Sequence, residues 1–294
     1  MEKLIMIREL LKGDNIIKVA GAHDGLSAKI AEKKGFEAIW ASGLGISAVE
    51  TVPDASILSM QEFLNAAISM NQATDIPVIA DCDSGFGNIH NVIHMVKKYE
   101  SAGIAGVCIE DKVFPKLNSF LSGNQQRLVS IEEFTSKIRA AKGAQVNPNF
   151  VVIARVESLI AGESMEDALQ RASCYADAGA DAILIHSKSK TSDQIEEFSK
   201  KWSGKVPLFI VPTMYPHINT KDIEKMGVKA VVYANQALRA SVKMMDYVLG
   251  NIIEQGSSLD IEGRISKVEE IFSLQNVNQM KIDEEKYSRS NVLI

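Results

Sequence analysis

Residues 99–110 read YESAGIAGVCIE. A polar helical tail stops at a glycine, Gly103, and a short apolar run follows and ends in Glu110. A glycine can take the left-handed conformation that closes a helix, after which the chain is free to enter a buried strand. The same pattern recurs at 31–40 (AEKKGFEAIW), 175–186 (YADAGADAILIH) and 223–234 (IEKMGVKAVVYA), with Gly35, Gly179 and Gly227 at the stop. Between these units lie four more apolar runs: IIKVA from Ile16, PVIAD from Pro77, VVIAR from Val151 and PLFIV from Pro207. Continuous apolar runs suit parallel strands covered on both faces. Eight of them, evenly spaced and alternating with helical stretches, predict an α/β fold, a (β/α)8 TIM-type barrel, over an open doubly wound sheet. No GxGxxG follows the first strand, which counts against a dinucleotide site.

Residues beyond about Asp246 fall outside the alternation. From Asp260 the chain reads DIEGRISKVEEIFSLQNVNQM, with Ile261, Ile265, Val268, Ile271 and Phe272 at helical spacing. The expected organisation is one barrel domain over 1–294, with 246–294 as a helical C-terminal extension. An apolar stripe with no place on a finished barrel predicts a homo-oligomer in which the extension packs on a neighbour.

Composition narrows the partners. The 294 residues are 46% hydrophobic and 23% charged, as in an ordinary soluble globular protein. A net charge of −5 argues against nucleic-acid or anionic-membrane binding. It leaves room for a small anionic substrate held by local cations and a metal. Cys82, Cys108 and Cys174 form no CxxC and read as reduced thiols of a cytoplasmic protein. The N-terminal MEKLIMIRELLKG reads as an amphipathic helix and not a signal peptide. No run approaches the ~20 apolar residues of a membrane span.

A barrel places its chemistry at the C-terminal ends of its strands. Reading where each apolar run stops gives Ser42, then Asp81 and Asp83, Glu110, Arg155, His186, Pro212 with Thr213, and Asn235. Acids on adjacent strands therefore face Arg155 and His186 on the next two. In DCDSGFGN, strand alternation puts Asp81 and Asp83 on one side and Cys82 on the other. With Glu110 they would form an all-oxygen cluster. Such carboxylates repel unless a cation neutralises them, and hard oxygen donors suit Mg2+. Asp54 either caps the helix beginning near Leu58 or lies at the pocket edge. His90 and His94 sit one helical turn apart, but without the accompanying Glu they read as packing or surface residues. Trp40 and Phe86 read as core or pocket wall.

GAHDGLSAKIAEKKGFEAIWASGLGISA, VPDASILSM, PVIADCDSGFGN and IEDKVFPKLNS together resemble the isocitrate lyase superfamily and, within it, the phosphoenolpyruvate mutases. The likeness runs from about Val19 to about Asn235. Its most specific part is Glu110-Asp111-Lys112 followed after five residues by Asn118-Ser119, the mutase signature EDKxxxxxNS. Carbon–carbon lyases of the superfamily carry a cysteine in this loop, within a KKCGH-like motif. Its absence here counts against isocitrate or methylisocitrate cleavage.

The resemblance implies a modified barrel whose last helix is exchanged between subunits, commonly in a dimer of dimers. It implies Mg2+ on Asp81, with Asp83 and Glu110 acting largely through its waters. Ser42 and the amides of Gly43 and Leu44 would bind the pyruvyl carboxylate. Lys116, Asn118 and Ser119 would lie on a gating loop, with Asn118, Ser119, Arg155 and His186 around the phosphoryl group and Asp54 near it. The implied activity is interconversion of phosphoenolpyruvate and phosphonopyruvate. Phosphonopyruvate hydrolysis and a non-catalytic 2-oxo-acid-binding barrel are the alternatives.

Overall fold

The computed structural model describes residues 2–121 and 126–288. It divides into two units, Met1–Leu238 and Arg239–Ile294. In the first, eight parallel strands close into a barrel in sequence order. They are β1 (Ile17–Ala22), β2 (Ala38–Ala41), β3 (Val78–Asp81), β4 (Gly106–Glu110), β5 (Val151–Val156), β6 (Ala182–Ile185), β7 (Leu208–Ile210) and β8 (Ala230–Tyr233). All eight coincide with the apolar runs read from the sequence. The glycine stops behave as expected. At Gly103, φ is +77°, its N–H donates to the Glu100 carbonyl, and the Ile104 N–H reaches back to the Tyr99 carbonyl. That paired bond is the Schellman closure of a helix, and Gly35 and Gly179 make the same two bonds.

Side-chain alternation along each strand builds two cores. On β5, Val151 and Ile153 join Val19, Trp40, Ile79, Cys108, Leu184 and Phe209 inside the barrel. Val152, Ala154 and Val156 face the other way and pack with residues of the surrounding helices. Arg155 continues the inward series 151, 153, 155, so the barrel interior turns from apolar to charged at its C-terminal mouth.

The opposite mouth is sealed. The N-terminal helix Lys3–Lys12 puts Ile7 into the inner core, with Leu10 and Leu11 packed against it. Arg8 fixes it there through the carbonyls of Asn149 and Phe150 and the carboxylate of Asp181, residues just ahead of β5 and β6. Solvent access is thereby left to the C-terminal ends of the strands.

The second unit is helical. It takes in most of the helix Gln236–Gln255, a 3-10 turn Glu262–Arg264, and helices Val268–Leu274 and Val277–Ser288. The stripe from Ile261 to Phe272 does not lie on one helix, as its spacing suggested. Ile265 is extended, with φ −112° and ψ 159°, and breaks the phase. Residues 289–294 of the expected extension lie outside the described residues. Among the described residues no helix is long and apolar enough to cross a membrane.

Candidate active site

Ser42, Leu44, Asp54, Asp81, Lys116, Asn118, Ser119, Arg155 and His186 line one cavity at the C-terminal mouth, with Trp40, Phe120, Thr213 and Asn235 among the other walls. Strand register creates the charged wall. Glu110 and Arg155 are direct partners across β4 and β5, and Glu110 Oε2 lies 3.2 Å from Arg155 Nε. Arg155 Nη2 lies 2.8 Å from His186 Nδ1. Burial opposes the Arg155 charge, but Glu157, Glu110 and Asp81 hold the guanidinium firmly protonated. Burial also lowers His186, against the pull of Glu157. His186 Nε2 is buried without a hydrogen-bond partner.

The segment after β4 folds over this wall. Lys116 is 6% exposed and its ammonium lies 2.6 Å from Asp54 Oδ1 and 3.1 Å from Asp83 Oδ1. Asn118 Nδ2 donates to Asp54 Oδ2 at 2.6 Å, while its Oδ1 accepts from the Phe120 amide at 3.0 Å. Phe120 meets the His186 ring edge to face at 5.6 Å. Ser59, not Asp54, caps the helix Met60–Ala73. Of the two readings of Asp54, the pocket one holds. Burial would raise its pKa, but Lys116 and Asn118 outweigh it and keep Asp54 ionised below the usual carboxylate range.

Asp83 reaches the site by a different route from strand alternation. β3 ends at Asp81, and Asp83 sits in the left-handed region at φ +49°, which Asp tolerates better than most residues. Its amide points back to Asp81 Oδ1 at 3.3 Å. Both carboxylates still face Gly43: a Cβ there would stand 3.3 Å from Asp83 Oδ1 and 3.4 Å from Asp81 Oδ2.

The three acids do not make a preformed cage. Among the described residues no three His, Cys, Asp or Glu side chains come together as a metal site. Lys116 and Arg155 are interleaved with the acids and carry part of the neutralising charge. The donor set nonetheless fits Mg2+, which takes one or two carboxylates directly and keeps its waters. Glu110 Oε1 is buried without a hydrogen bond, Asp83 Oδ1 is met by Lys116 at 3.1 Å, and the nearest Arg155 nitrogen is 3.9 Å from Asp81 Oδ2. Burial raises the Asp83 pKa to about 7, with Lys116 opposing and Asp81, Asp54 and Glu110 adding to it. Carboxylates held so reluctantly in the charged form are what a divalent cation relieves.

Ser42 caps the helix Gly43–Val49 by accepting from the Gly45 amide at 3.2 Å. The Gly43 and Leu44 amides, in the first turn, have no intrahelical acceptor. His90 and His94 are exposed on the helix Ile89–Ser101, away from the cavity lining.

Two buried residues of the site have no site role in the sequence reading: Glu157, which is not singled out there, and Lys112, which is named only within the EDKxxxxxNS signature. Glu157 bonds Arg155, His186, Lys112 and Ser119, and Lys112 donates to the Leu117 carbonyl and Ser119 Oγ. The signal for Glu157 was parity, because it lies two residues beyond Arg155 on the same inward series. The strand-end rule stopped at the first polar residue.

The family model described as phosphoenolpyruvate phosphomutase matches residues 7–253. The chain belongs to the phosphoenolpyruvate phosphomutase family. Phosphoenolpyruvate phosphomutase of Tetrahymena pyriformis is 43% identical over 285 residues, covering 97% of this chain and 95% of that protein. A crystal structure of phosphoenolpyruvate phosphomutase from Streptomyces platensis subsp. rosaceus superposes with a TM-score of 0.95 at 45% identity, covering 97% and 99% of the two chains. A phosphonopyruvate hydrolase crystallised with oxalate and Mg++ superposes at 0.93 with 44% identity, covering 98% and 99%. Within the phosphomutase family, overall identity therefore does not separate mutase from hydrolase for this chain.

Proposed function

We propose that this protein is a Mg2+-dependent phosphoenolpyruvate mutase, moving a phosphoryl group between the enol oxygen of phosphoenolpyruvate and the methylene carbon of phosphonopyruvate. The observation that carries the reading is the engagement of Asp54 and Asn118. Both Asp54 oxygens are taken, by Lys116 and Asn118, and both ends of the Asn118 amide are taken, by Asp54 and Phe120. These bonds do not exhaust either group, but they fix both side chains and tie the segment down over the cavity, which in this reading restricts water there. A mutase needs that exclusion, since an intercepted phosphoryl group would end as phosphate. The 44% identity to phosphonopyruvate hydrolase keeps hydrolysis as the second reading.

In this reading Ser42 and the amides of Gly43 and Leu44 hold the pyruvyl carboxylate. Asp81, Asp83 and Glu110 would be the residues that hold Mg2+. When bound, the metal supplies Lewis-acid stabilisation of the enolate oxygen. Arg155, Asn118 and the His186 Nε2 edge surround the phosphoryl group, whose loose transition state asks mainly for positioning and charge stabilisation. Asp54 orients Lys116 and Asn118 from behind.

The expected assembly is a cytoplasmic homo-oligomer, a dimer of dimers, in which 246–294 extends a single barrel domain and packs on a neighbouring subunit. In the helix Gln236–Gln255, Val242, Met245, Leu249 and Ile253 are 55–85% exposed along one stripe, which supports that reading. The enzymatic assignment is tested by supplying phosphonopyruvate with Mg2+ and following 31P resonances. Growth of the phosphoenolpyruvate signal supports it, and growth of free phosphate alone replaces it with hydrolysis.

A further inference from the structure

Glu157 takes no part in the chemistry described above, yet its side chain is fully buried at the centre of the site. Its two oxygens serve two different elements. Oε1 lies 2.6 Å from Arg155 Nε and 2.7 Å from His186 Nδ1, both on the barrel wall. Oε2 accepts from Ser119 Oγ at 2.6 Å and lies 3.0 Å from Lys112 Nζ, both on the segment that folds over the wall. The backbone beneath it is fixed too. The Glu157 amide donates to Asp111 Oδ1 at 2.9 Å, and Tyr175 holds Asp111 Oδ2 at 2.8 Å.

We propose that Glu157 is a positioning residue, the catch that joins closure of the 112–121 segment to assembly of the Arg155–His186 wall. If the segment lifts, Oε2 loses Ser119 and Lys112, and a buried carboxylate is left half-satisfied. That state is costly, so the wall in its assembled form favours the closed segment. The segment in its closed form likewise fixes Glu157, and through it the orientation of Arg155 and His186.

A second consequence concerns Ser119. A hydroxyl has one proton, and the Ser119 proton is committed to Glu157. Its lone pairs face Lys112 Nζ at 2.7 Å and Arg155 Nη2 at 3.2 Å. Ser119 therefore docks the segment and does not donate to a phosphoryl group.

The effect on reaction outcome rests on the mutase reading, whereas the effect on closure does not. Closure is read by limited trypsin cleavage after Lys112 and Lys116, with oxalate and Mg2+ as the probe and without turnover. In the wild type the probe should suppress cleavage. Glu157→Gln should lose that protection while keeping its circular dichroism spectrum. Its kcat should fall about 100-fold, as expected of misplaced reacting groups, and more of its turnover should end as phosphate. Glu157→Asp, which keeps the charge, should recover part of both. Ser119→Ala cuts only the segment side of the catch and should lose protection as well, which keeps the proposal testable if Glu157→Gln does not fold. Protection retained in Ser119→Ala, or in a folded Glu157→Gln, would overturn the catch. Wild-type protein that yields only phosphate would overturn the mutase reading and leave the catch standing.

Discussion

The Lys116 ammonium lies 2.6 Å from Asp54 Oδ1, bridging a loop after β2 to the segment after β4. It also reaches Asp83 at 3.1 Å, so one buried cation is shared by an acid outside the expected metal set and an acid within it. Asp54→Asn should lower kcat about 100-fold by loosening Lys116 and Asn118. Asp83 stays to pair Lys116, so the stability loss should fall short of the ~3–5 kcal/mol of stranding a buried charge. Mg2+ affinity, measured by calorimetry, should stay within about threefold of wild type because no expected metal carboxylate is removed. Full activity in this variant would make Asp54 a structural anchor only.

Metal removal makes the second prediction. Exhaustive chelation should abolish turnover, and Mg2+ should restore it. Asp81→Asn should weaken metal binding at least about tenfold, since one of the carboxylates that would hold the metal is lost. Turnover in protein shown by elemental analysis to be metal-free would contradict the assignment.

The His186 ring sets a pH dependence with a definite sign. Burial lowers its folded pKa beneath the ordinary 6.5. Between those two values the unfolded chain binds more protons than the folded one. This contribution to stability is therefore complete above about pH 6.5 and is lost as pH falls from there through the folded value. Thermal melts of wild type and His186→Gln from pH 7.5 to 5.5 should diverge, with the variant the flatter. Carboxylates elsewhere titrate in both proteins and cancel in the difference. Parallel profiles would mean that His186 does not titrate differently on folding.

The barrel was readable because parallel strands buried on both faces leave continuous apolar runs, and left-handed glycines punctuate them. Gly103 and the run ending at Glu110 carry that signal by themselves. Strand ends were readable for a related reason. Asp81, Glu110, Arg155 and His186 are the first polar residues where apolar burial stops. What depends on loop conformation was less legible. The role of Asp54 is set by a side chain 62 residues away, Lys116, which no local pattern announces. Asp83 turns on a positive φ, and Glu157 hides one apolar residue beyond a strand end already assigned. The stripe from Ile261 to Phe272 misled because spacing alone does not register the break at Ile265.

The second unit carries a prediction about assembly. Val242, Met245, Leu249 and Ile253 present a row of apolar side chains to solvent in the isolated chain. Exposed rows of this kind mark interfaces. Sedimentation velocity at micromolar concentration should show an oligomer, and charged substitutions at Leu249 and Ile253 should dissociate it. A monomeric wild type would contradict the expectation.

Phosphoryl transfer that bypasses water is the central claim, and isotope labelling tests it most directly. Phosphonopyruvate is turned over with Mg2+ in water enriched in oxygen-18, and the products are resolved by 31P NMR. A mutase moves the phosphoryl group with its three oxygens onto the substrate's own C2 oxygen. Phosphoenolpyruvate should therefore accumulate with no solvent oxygen at the three non-bridging positions, whereas the bridging position reports only exchange of the C2 carbonyl with water. Stoichiometric inorganic phosphate carrying one solvent oxygen would contradict the mutase and establish hydrolysis in its place.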